Sequence, residues 1–523
     1  MKKFVINIMF AGVALGYTSC TDNFLEYNTN PYEATKEQME YDNYHVQSAM
    51  LNMQHVVVPA ENNLNQFAEC LLGGSYGGYI SDSNGGFVGR NFATYSADQG
   101  WSSVPFVTQI ERFYPSYIQL KDVTEDPVLL SVGEILKVAV FHRITDIYGH
   151  IPYSKISKDG KLVAPFDLQQ DVYRKMFKEL DESIATLTAN KESNFSSKAD
   201  RVFEGNVGKW IKFANSLKLR LALRLSYADA ALAQEKAEEA VSHEFGVITL
   251  NVDNAYYPVP KSPFRVVMYD YNGGDSRVSA DITTYMNSYG DSRREKYFVK
   301  SSFSASIPEV EDGFHGLRSG INFSSSEEAQ MYCNMNVGDS KERILWMNAA
   351  ESAFLKAEGA LRGWNMGGTP DEFYEKGVRL SFEQWEAAGV DEYLNNTDLP
   401  QPYVDPMDKN SYAGETSKIS VKWNSSGDFE ENLERIITQK WIANFPLGLE
   451  AWAEFRRTNY PKLMPAPHNL SNGVIGDNEF ARRLPYPERE YQENRANLQK
   501  ALDNLNGPDN QATKVWWDCK PKK

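Results

Sequence analysis

The apolar residues between positions 129 and 225 recur with the spacing of an α-helix, and this periodicity restricts the fold more than any other feature of the chain. Three runs show it: Leu136, Val140, Ile144 and Ile147; Tyr173, Phe177, Leu180, Ile184 and Leu187; and Trp210, Ala214, Leu217 and Leu221. Residues three or four positions apart share one face of a helix. The sequence therefore predicts a mostly α-helical body in which helices pack against helices. The Gly205-Asn206 turn is expected to start the third helix.

A further helix is predicted where small residues recur, at Ala350, Ala353, Ala357 and Ala360. Small side chains at this spacing let a second helix approach closely, as in the helix pairs of tetratricopeptide proteins. No strict repeat of about 34 residues is visible, so a regular solenoid does not follow from periodicity alone.

Two stretches lack sustained periodicity, at about 73–105 and 250–345. The first begins GGSYGGYISDSNGGFVGRNFATYSADQGW and is rich in Gly, Ser, Asn and aromatic residues. In the second, Pro, Gly, Ser and Tyr are dispersed, which indicates loops with short strands or helices. Both stretches are expected to form long irregular loops on the helical scaffold, where ligand recognition is commonly located.

The run from Gln439 to Pro461, QKWIANFPLGLEAWAEFRRTNYP, combines two tryptophans, a Phe-Pro break and an Arg pair. Its apolar residues fit two short helices that are interrupted at Phe445-Pro446. The tryptophans that lie in periodic or apolar contexts are assigned to the core, and they are Trp210, Trp346, Trp364, Trp441 and Trp452.

The N-terminus reads as an export signal, because Lys2 and Lys3 precede an apolar run of about 14 residues that stops shortly before Cys20. This run is shorter than the roughly 20 residues that a membrane-spanning helix needs. Small residues before the cysteine are typical of a lipobox, so residues 1–19 are predicted to be cleaved and Cys20 to carry lipid. An ordinary signal peptide with a chance cysteine is the alternative, because Tyr17 stands where lipoboxes usually have an aliphatic residue.

Charge and cysteine content exclude two further classes. The formal net charge is −16, and no basic cluster offsets it. Nucleic-acid binding depends on Lys and Arg side chains that neutralise phosphates, so the sequence predicts no nucleic-acid partner. Apart from Cys20, the chain has Cys70, Cys333 and Cys519, whose odd number and wide separation imply no disulfide framework.

Seven blocks follow one another along the chain: CTDNFLEYNTNP, RITDIYGHIPYS, PFDLQQDVYRKMFKELDESI, KWIKFANSLKLRLALRLS, AAESAFLKAEGALRGW, QKWIANFPLGLEAWAEFRRTNYP and RRLPYPEREYQEN. In this order they resemble the SusD/RagB family, surface lipoproteins that capture nutrients for gut and oral Bacteroidetes. The resemblance implies a SusD-like helical fold with tetratricopeptide-like helix pairs, in which residues 20–523 form a single domain with ligand-binding loops.

The resemblance also implies a function. A SusD-like protein captures an oligosaccharide or polysaccharide at the cell surface and delivers it to a SusC-like TonB-dependent transporter barrel, which it caps as a lid. The chain is then expected to be anchored in the outer membrane by its lipid and not to be an enzyme. RagB-type relatives serve peptide uptake, so a peptide held by backbone hydrogen bonds and pockets is the alternative ligand.

One match to a catalytic motif exists, because residues 73–77 satisfy G-x-S-x-G. A nucleophile elbow needs a strand before the serine and a helix after it, whereas helical spacing precedes this serine and a Gly-rich loop follows it. His142 and His150 are close enough in sequence for a zinc pair, but no partner ligands are evident. The paired carboxylates of a glycosidase cannot be singled out among 70 acidic residues, so a surface hydrolase stays a lesser alternative.

A glycan site needs flat aromatic faces for sugar rings and polar side chains that form hydrogen bonds with hydroxyls. The residues of the first loop that are predicted to contact a glycan are Tyr76, Tyr79, Asp82, Asn84 and Trp101. Trp101 lies between a turn-like ADQG and two serines, so its exposure is expected. The alternative for each aromatic residue is that it pins the loop to the body.

The second candidate loop is MYDYNGGDSR at 268–277, which is predicted to face the first loop across a groove. Its predicted ligand contacts are Tyr269, Tyr271 and Asn272. Asp270, Asn272 and Asp275 are also candidate Ca²⁺ ligands, but their spacing departs from an EF-hand loop and no bidentate Glu is placed. A structural turn is therefore preferred, and no metal or cofactor is predicted.

Overall fold

The computed structural model describes residues 43–156, 163–323 and 325–521. The predicted signal peptide at 1–19 and the predicted lipidation site Cys20 lie outside these ranges. Helices dominate the described part, so the prediction of a mostly α-helical fold is confirmed. None of the helices in these ranges is long and apolar enough to cross a membrane.

The longer helices are α1 (Tyr44–Gln54), α2 (Gln99–Val123), α3 (Pro127–Tyr148), α4 (Gln169–Ala189), α5 (Val207–Arg224), α6 (Ala230–Ser242), α7 (Ala280–Ser288), α8 (Ala349–Leu361), α9 (Pro370–Gln384), α10 (Phe429–Ala443), α11 (Gly448–Thr458) and α12 (Arg495–Leu502). Shorter α-helical turns lie at Asn62–Asn65, Pro263–Arg265, Arg294–Tyr297, Ser326–Gln330, Val390–Leu394 and Glu488–Glu493. Two π-helical segments occupy Gln66–Gly74 and Val266–Asp270.

Short antiparallel strand pairs fasten the irregular stretches together. The pairs are β1 (Ile80–Asp82) with β3 (Ser276–Val278), β2 (Ala255–Val259) with β6 (Glu342–Met347), and β4 (Phe298–Val299) with β5 (Asn334–Met335). Strands β2 to β6 are separated by irregular segments and short helices. This confirms the expectation of loops with short strands or helices at 250–345.

Polar caps set the starts of the helices that the periodicity predicted. Asn206 is the N-cap of α5, and its side chain accepts a hydrogen bond from the backbone N–H of Lys209 at 2.9 Å. Asp126 caps α3 in the same way, with Pro127 in the first turn, where the missing N–H of proline costs no helical hydrogen bond. The expected start of the third helix at the Gly205-Asn206 turn is therefore confirmed.

Helices α8 and α9 show how small residues bring two helices together. Gly377 in α9 lies against Phe354 in α8, where a Cβ atom would stand 2.7 Å from the ring. Ala350, Ala353 and Ala357 of α8 are buried. The close approach that the alanine spacing predicted is therefore present, and a glycine in the partner helix contributes to it.

One continuous hydrophobic core extends from α1 to Trp517 near the C-terminus. The tryptophans assigned to the core are all buried in it: Trp210, Trp346, Trp364, Trp441 and Trp452. The indole N–H of Trp441 donates to the carbonyl of Gly77 at 2.7 Å, and that of Trp452 donates to the carbonyl of Ala481 at 3.0 Å. The run from Gln439 to Pro461 is therefore scaffold, as predicted.

The same run carries a buried ionic network. Arg457 is fully buried, and its guanidinium donates five hydrogen bonds of 2.6–3.0 Å to Glu358, Glu454 and Ser226. Burial opposes the charge of Glu358, but the guanidinium groups of Arg457 and Arg362 outweigh it and lower the pKa of this carboxyl to about 2. The ion pairs join α8 to α11.

The network extends to α5 and α10. Arg224 in α5 pairs with Glu450 at 2.7 Å and also with Glu454, while Lys440 in α10 pairs with Glu454. Burial raises the pKa of Glu450 and Glu454, and these cations lower it. The effect of the cations is larger, so the pKa of both carboxyls lies below the usual range. Sequence reasoning noted the Arg pair in this run but did not predict buried ion pairs.

The first irregular region is shorter than the predicted 73–105. The π-helical segment reaches Gly74, and α2 begins at Gln99, where the carboxylate of Asp98 accepts from the backbone N–H of Trp101 at 2.9 Å. Helix α2 then continues through Pro105 and Pro115. Sequence patterns did not predict this helix, because proline and glycine normally indicate a helix break, and it contains Gly100 and these two prolines.

Candidate functional site

The two predicted loops meet directly. Strand β1 from the first loop pairs with β3 from the second, with Ile80 opposite Val278 and Asp82 opposite Ser276. The contact continues at Ser83, whose backbone N–H donates to the carbonyl of Asp275 at 2.8 Å. The structure therefore brings both candidate loops to one place, which we call the loop junction and define as residues 80–101 and 268–277.

The carboxylate of Asp275 holds the loop junction together. It is buried, and it accepts hydrogen bonds from three side-chain amides: Gln66 at 2.7 Å, Asn84 at 2.7 Å and Asn272 at 2.8 Å. Asn272 adopts a left-handed backbone conformation with φ of 53°, which asparagine tolerates better than most residues. The segment is a structural turn, as preferred from the sequence, and the predicted residues Asn84 and Asn272 both belong to it.

The candidate Ca²⁺ ligands have partners within the protein. The oxygens of Asp275 accept amide hydrogen bonds, and Asp270 pairs with Lys261 at 2.6 Å. No group of three or more His, Cys, Asp or Glu side chains in the described ranges is arranged to hold a metal ion. His142 lies beside the carbonyl of Val138, so it has a partner of its own within the helix.

An aromatic cluster forms one side of the loop junction. The ring of Trp101 lies 5.3 Å from that of Phe67 and 4.8 Å from that of Phe87, and the Arg90 guanidinium lies 5.5 Å from its centre. Phe67 and Phe87 are half-buried and Arg90 is exposed, whereas Trp101 is only 7% exposed. The expected exposure of Trp101 is therefore wrong. Because α2 begins two residues earlier, its ring packs beneath the neighbouring aromatic residues.

Tyr271 extends this surface from the second loop. Its ring is half-buried, and its hydroxyl donates to the side-chain oxygen of Asn63 at 3.2 Å. Asn63 precedes Phe67 by one helical turn. The exposed or half-exposed groups of the loop junction and the adjoining turn include Asn63, Phe67, Asn84, Phe87, Arg90, Tyr271 and Asn272. This arrangement can stack sugar rings and form hydrogen bonds with hydroxyls.

Tyr76 and Tyr79 face the scaffold instead of the loop surface. Tyr79 is fully buried, its ring stacks on Trp441 at 5.4 Å, and its hydroxyl donates to the Trp441 carbonyl. Tyr76 is 7% exposed and packs on Trp452 at 5.0 Å. The prediction that these rings contact a ligand is corrected, because both anchor the loop to the tryptophans of the core.

Asp82 and Tyr269 are also directed inward. Asp82 is nearly buried, and burial together with the neighbouring Asp275 carboxylate raises its pKa to about 7, although a backbone hydrogen bond opposes the shift. Its predicted role as an exposed contact is therefore corrected. Tyr269 is half-buried, donates to the carbonyl of Met335 at 2.6 Å and lies beneath the guanidinium of Arg265. Ligand contact by Tyr269 stays a prediction.

The G-x-S-x-G match has a structural explanation. Gly73 and Gly74 are the last two residues of a π-helical segment and do not belong to a strand, so the first requirement of a nucleophile elbow is missing. A Cβ atom on Gly73 would stand 2.4 Å from the backbone nitrogen of Leu449, and one on Gly448 would stand 2.4 Å from the carbonyl carbon of Gly73. The glycine is needed for close contact with α11.

Sequence reasoning missed Phe67 and Asn63, because both residues precede the two irregular stretches in which ligand contacts were predicted. A signal was present, since an aromatic residue four positions after an asparagine places both on one helical face. The π-helical segment that begins at Gln66 had no sequence signal, and it carries Phe67 to the loop junction.

The fold is a helical scaffold that presents aromatic and amide side chains on irregular loops. The chain belongs to the SusD-like family, the SusD and RagB outer membrane lipoproteins, whose model matches residues 26–518. The predicted family and fold are therefore confirmed. A search of curated proteins found no match.

Solved structures agree with this assignment. A SusD homolog from Bacteroides uniformis is 47% identical with a TM-score of 0.88, and the match covers 92% of this chain and 100% of that chain. A SusD homolog from Bacteroides ovatus is 43% identical with a TM-score of 0.87, covering 92% and 100%. A chitin-binding SusD homolog from Flavobacterium johnsoniae is 34% identical with a TM-score of 0.85, covering 91% and 99%.

Proposed function

We propose that this protein binds a glycan at the loop junction, on the outer surface of the outer membrane, and delivers it to a SusC-like TonB-dependent transporter without cleaving it. The carrying observation is that half-buried Phe67 and Phe87 and exposed Arg90 surround Trp101, while half-buried Tyr271 and exposed Asn272 belong to the loop that pairs with this one. Aromatic faces and side-chain amides are the groups that neutral sugars require.

Preorganisation supports a binding role for this surface. Asp275 fixes Asn84 and Asn272 by hydrogen bonds, and Trp101 supports the rings of Phe67 and Phe87 from below. Side chains that are already held in place lose less conformational freedom when a ligand binds. The Flavobacterium johnsoniae relative described as chitin-binding favours a glycan over the peptide alternative.

The binding test uses the full-length protein, purified in detergent, in native gels. The gels contain soluble chitin oligosaccharides, plant glycans, host glycans or casein peptides. Retardation by a glycan is expected. Phe87→Ala and Tyr271→Ala should each weaken binding about tenfold, because aromatic truncations at the centre of a binding surface cost on the order of 1–2 kcal/mol.

Tyr44→Ala is the matched control, since Tyr44 is 54% exposed and belongs to α1, outside the loop junction. It should bind like the wild type. Binding of peptides but of no glycan would replace this proposal with peptide uptake, and release of reducing sugar by the pure protein would revive the hydrolase. Retention of full affinity in both loop variants would place the site elsewhere.

The membrane and transporter parts of the proposal rest on the family. Cys20 is the proposed lipid attachment site, so Cys20→Ala should release the protein from the outer membrane into the soluble fraction. Co-purification of a large β-barrel protein with the wild type is the expected sign of the transporter. A Cys20→Ala protein that stays in the membrane fraction would contradict lipid anchoring.

A further inference from the structure

A cleft is lined by residues outside the loop junction, and it adjoins the junction where the Tyr95 hydroxyl donates to the carbonyl of Glu479 at 3.2 Å. It has a volume of about 1,220 Å³ and is bordered by segments 412–415, 459–465, 475–482 and the C-terminal segment 506–520. Pockets for single small molecules usually measure about 300–1,000 Å³. The cleft is thus large enough for a ligand of several linked units, and none of its lining residues belongs to the loop junction.

Aromatic side chains are held rigidly in the wall of this cleft. The rings of Phe455 and Phe480 meet edge to face at 4.8 Å, and Phe480 is half-buried. Trp516 is also half-buried, and its backbone N–H donates to the side-chain oxygen of Gln169 at 2.8 Å, which ties the C-terminal segment to α4. Both partly exposed rings are therefore preorganised for stacking.

The side-chain amides of Asn459, Asn478 and Asn506 also line the cleft. All three residues are exposed, and their amides form no hydrogen bond with any described residue. Asn459 and Asn478 adopt left-handed conformations, with φ of 61° and 62°. Each amide offers both donors and an acceptor to a ligand.

Most charged groups of the cleft are paired, and the exposed Glu479 accepts a hydrogen bond from the backbone N–H of Gly476 at 3.3 Å. Arg482 forms a bidentate pair with Asp518, and Lys520 donates to Glu430 at 2.6 Å. Lys462 lies 3.4 Å from Glu415. The groups that remain for a ligand are neutral amides, aromatic rings and the single carboxylate of Glu479, which can all contact a polyhydroxylated molecule through stacking and hydrogen bonds to hydroxyls.

We propose that this cleft is a second carbohydrate-binding site, which takes a neutral oligosaccharide through Phe480, Trp516 and the amides of Asn459, Asn478 and Asn506. The inference rests on the proposed function, since it assigns the same ligand class to a separate place. Two sites on one protein would raise its avidity for a long polysaccharide that presents many equivalent segments.

The test is isothermal titration of the full-length protein in detergent with the hexasaccharide of whichever glycan retards the wild type in native gels. The wild type should bind two equivalents. Asn459→Gly/Asn478→Gly removes two amides but keeps the backbone, because glycine adopts positive φ without strain. In this double variant, one equivalent of hexasaccharide should bind about tenfold more weakly, and the other should bind with the wild-type affinity.

Asn472→Gly is the matched control, because Asn472 is an exposed asparagine with φ of 55° outside the cleft lining. It should bind two equivalents like the wild type. Phe480→Ala serves as a second variant, with its thermal unfolding measured alongside. Tyr271→Ala should weaken the other equivalent.

The two proposals fail in different ways. The wild type could bind one equivalent of hexasaccharide, with this binding lost in Tyr271→Ala and unchanged in the Asn459→Gly/Asn478→Gly variant. That result would overturn the second site and leave the proposed function intact. One equivalent that is weakened only by the cleft variants would overturn the loop junction and support the cleft. Binding of no glycan by the wild type would overturn both.

Discussion

The buried ionic network and the loop junction use polar residues in opposite ways. In the network, Arg457 and its partners are full charges that are shielded from water and satisfied within the scaffold. At the loop junction, one buried carboxylate orders neutral amides, and the outward groups are half-buried rings, amides and the exposed Arg90. Buried charge fixes helix against helix, whereas the loop junction keeps rings, amides and a guanidinium accessible to solvent.

Breaking the network should have the largest effect. Arg457→Ala leaves Glu358 and Glu454 buried without their main partner, so the free energy of unfolding should fall by about 3–5 kcal/mol. Urea denaturation measures this loss. The control is Arg489→Ala, because Arg489 is half-exposed in its pairs with Glu111 and Glu493 and should cost at most about 1 kcal/mol. Equal losses in the two variants would contradict the distinction.

The second-largest loss of stability is expected at low pH, where the buried ionic network weakens. The folded pKa of Glu358 is lowered to about 2, and those of Glu450 and Glu454 are also lowered. Their stabilisation is present above the unfolded pKa of about 4.3 and is lost as pH falls towards about 2, on the order of 3 kcal/mol for Glu358. Urea denaturation at successive pH values should show this loss, and Arg457→Ala should flatten it.

Removing the carboxylate at the loop junction should have an intermediate effect. Asp275→Ala leaves the amides of Gln66, Asn84 and Asn272 without their shared acceptor, which should cost about 2 kcal/mol and weaken glycan binding. Asp270→Ala is the control from the same loop, because its pair with Lys261 is half-exposed and should contribute less than about 1 kcal/mol. If Asp275→Ala left both stability and affinity unchanged, Asp275 would not organise the junction.

A smaller effect is expected where the loops are anchored. Tyr79→Phe keeps the stacked ring and removes the hydroxyl that donates to the Trp441 carbonyl, so stability should fall by about 1 kcal/mol. Glycan affinity should stay at the wild-type value, because Tyr79 is fully buried. A tenfold loss of affinity without a loss of stability would return Tyr79 to the binding surface.

The smallest change in stability is expected at Asn272. Asn272→Gly removes one of the three hydrogen bonds from side-chain amides to Asp275, but it also relieves the strain of a positive φ. The two effects on the free energy of unfolding should nearly cancel, to within about 0.5 kcal/mol. Affinity in titration should fall several-fold, because the exposed amide is lost. An unchanged affinity would limit the site to Phe87 and Tyr271.

The helical part of the fold was predictable because its signals are local. The spacing of Tyr173, Phe177 and Leu180 and the asparagine cap of α5 each act within one or two helical turns. Helix α2 was not predicted, since Pro105 and Pro115 contradict the local rule and tertiary packing overrides it. The two loops were predicted to face each other across a groove, whereas they pair directly through β1 and β3, and Tyr76, Tyr79 and Trp101 are buried.

The sequence by itself determined the class of fold, the core tryptophans and the family, because helical periodicity and ordered sequence blocks are properties of the chain alone. Only the tertiary structure decided which aromatic residues face outward. Tyr79 meets Trp441 across 362 positions and Gln66 meets Asp275 across 209. Whether a ring in a loop is anchor or binding surface depends on such distant neighbours, and no local pattern in the loop encodes them.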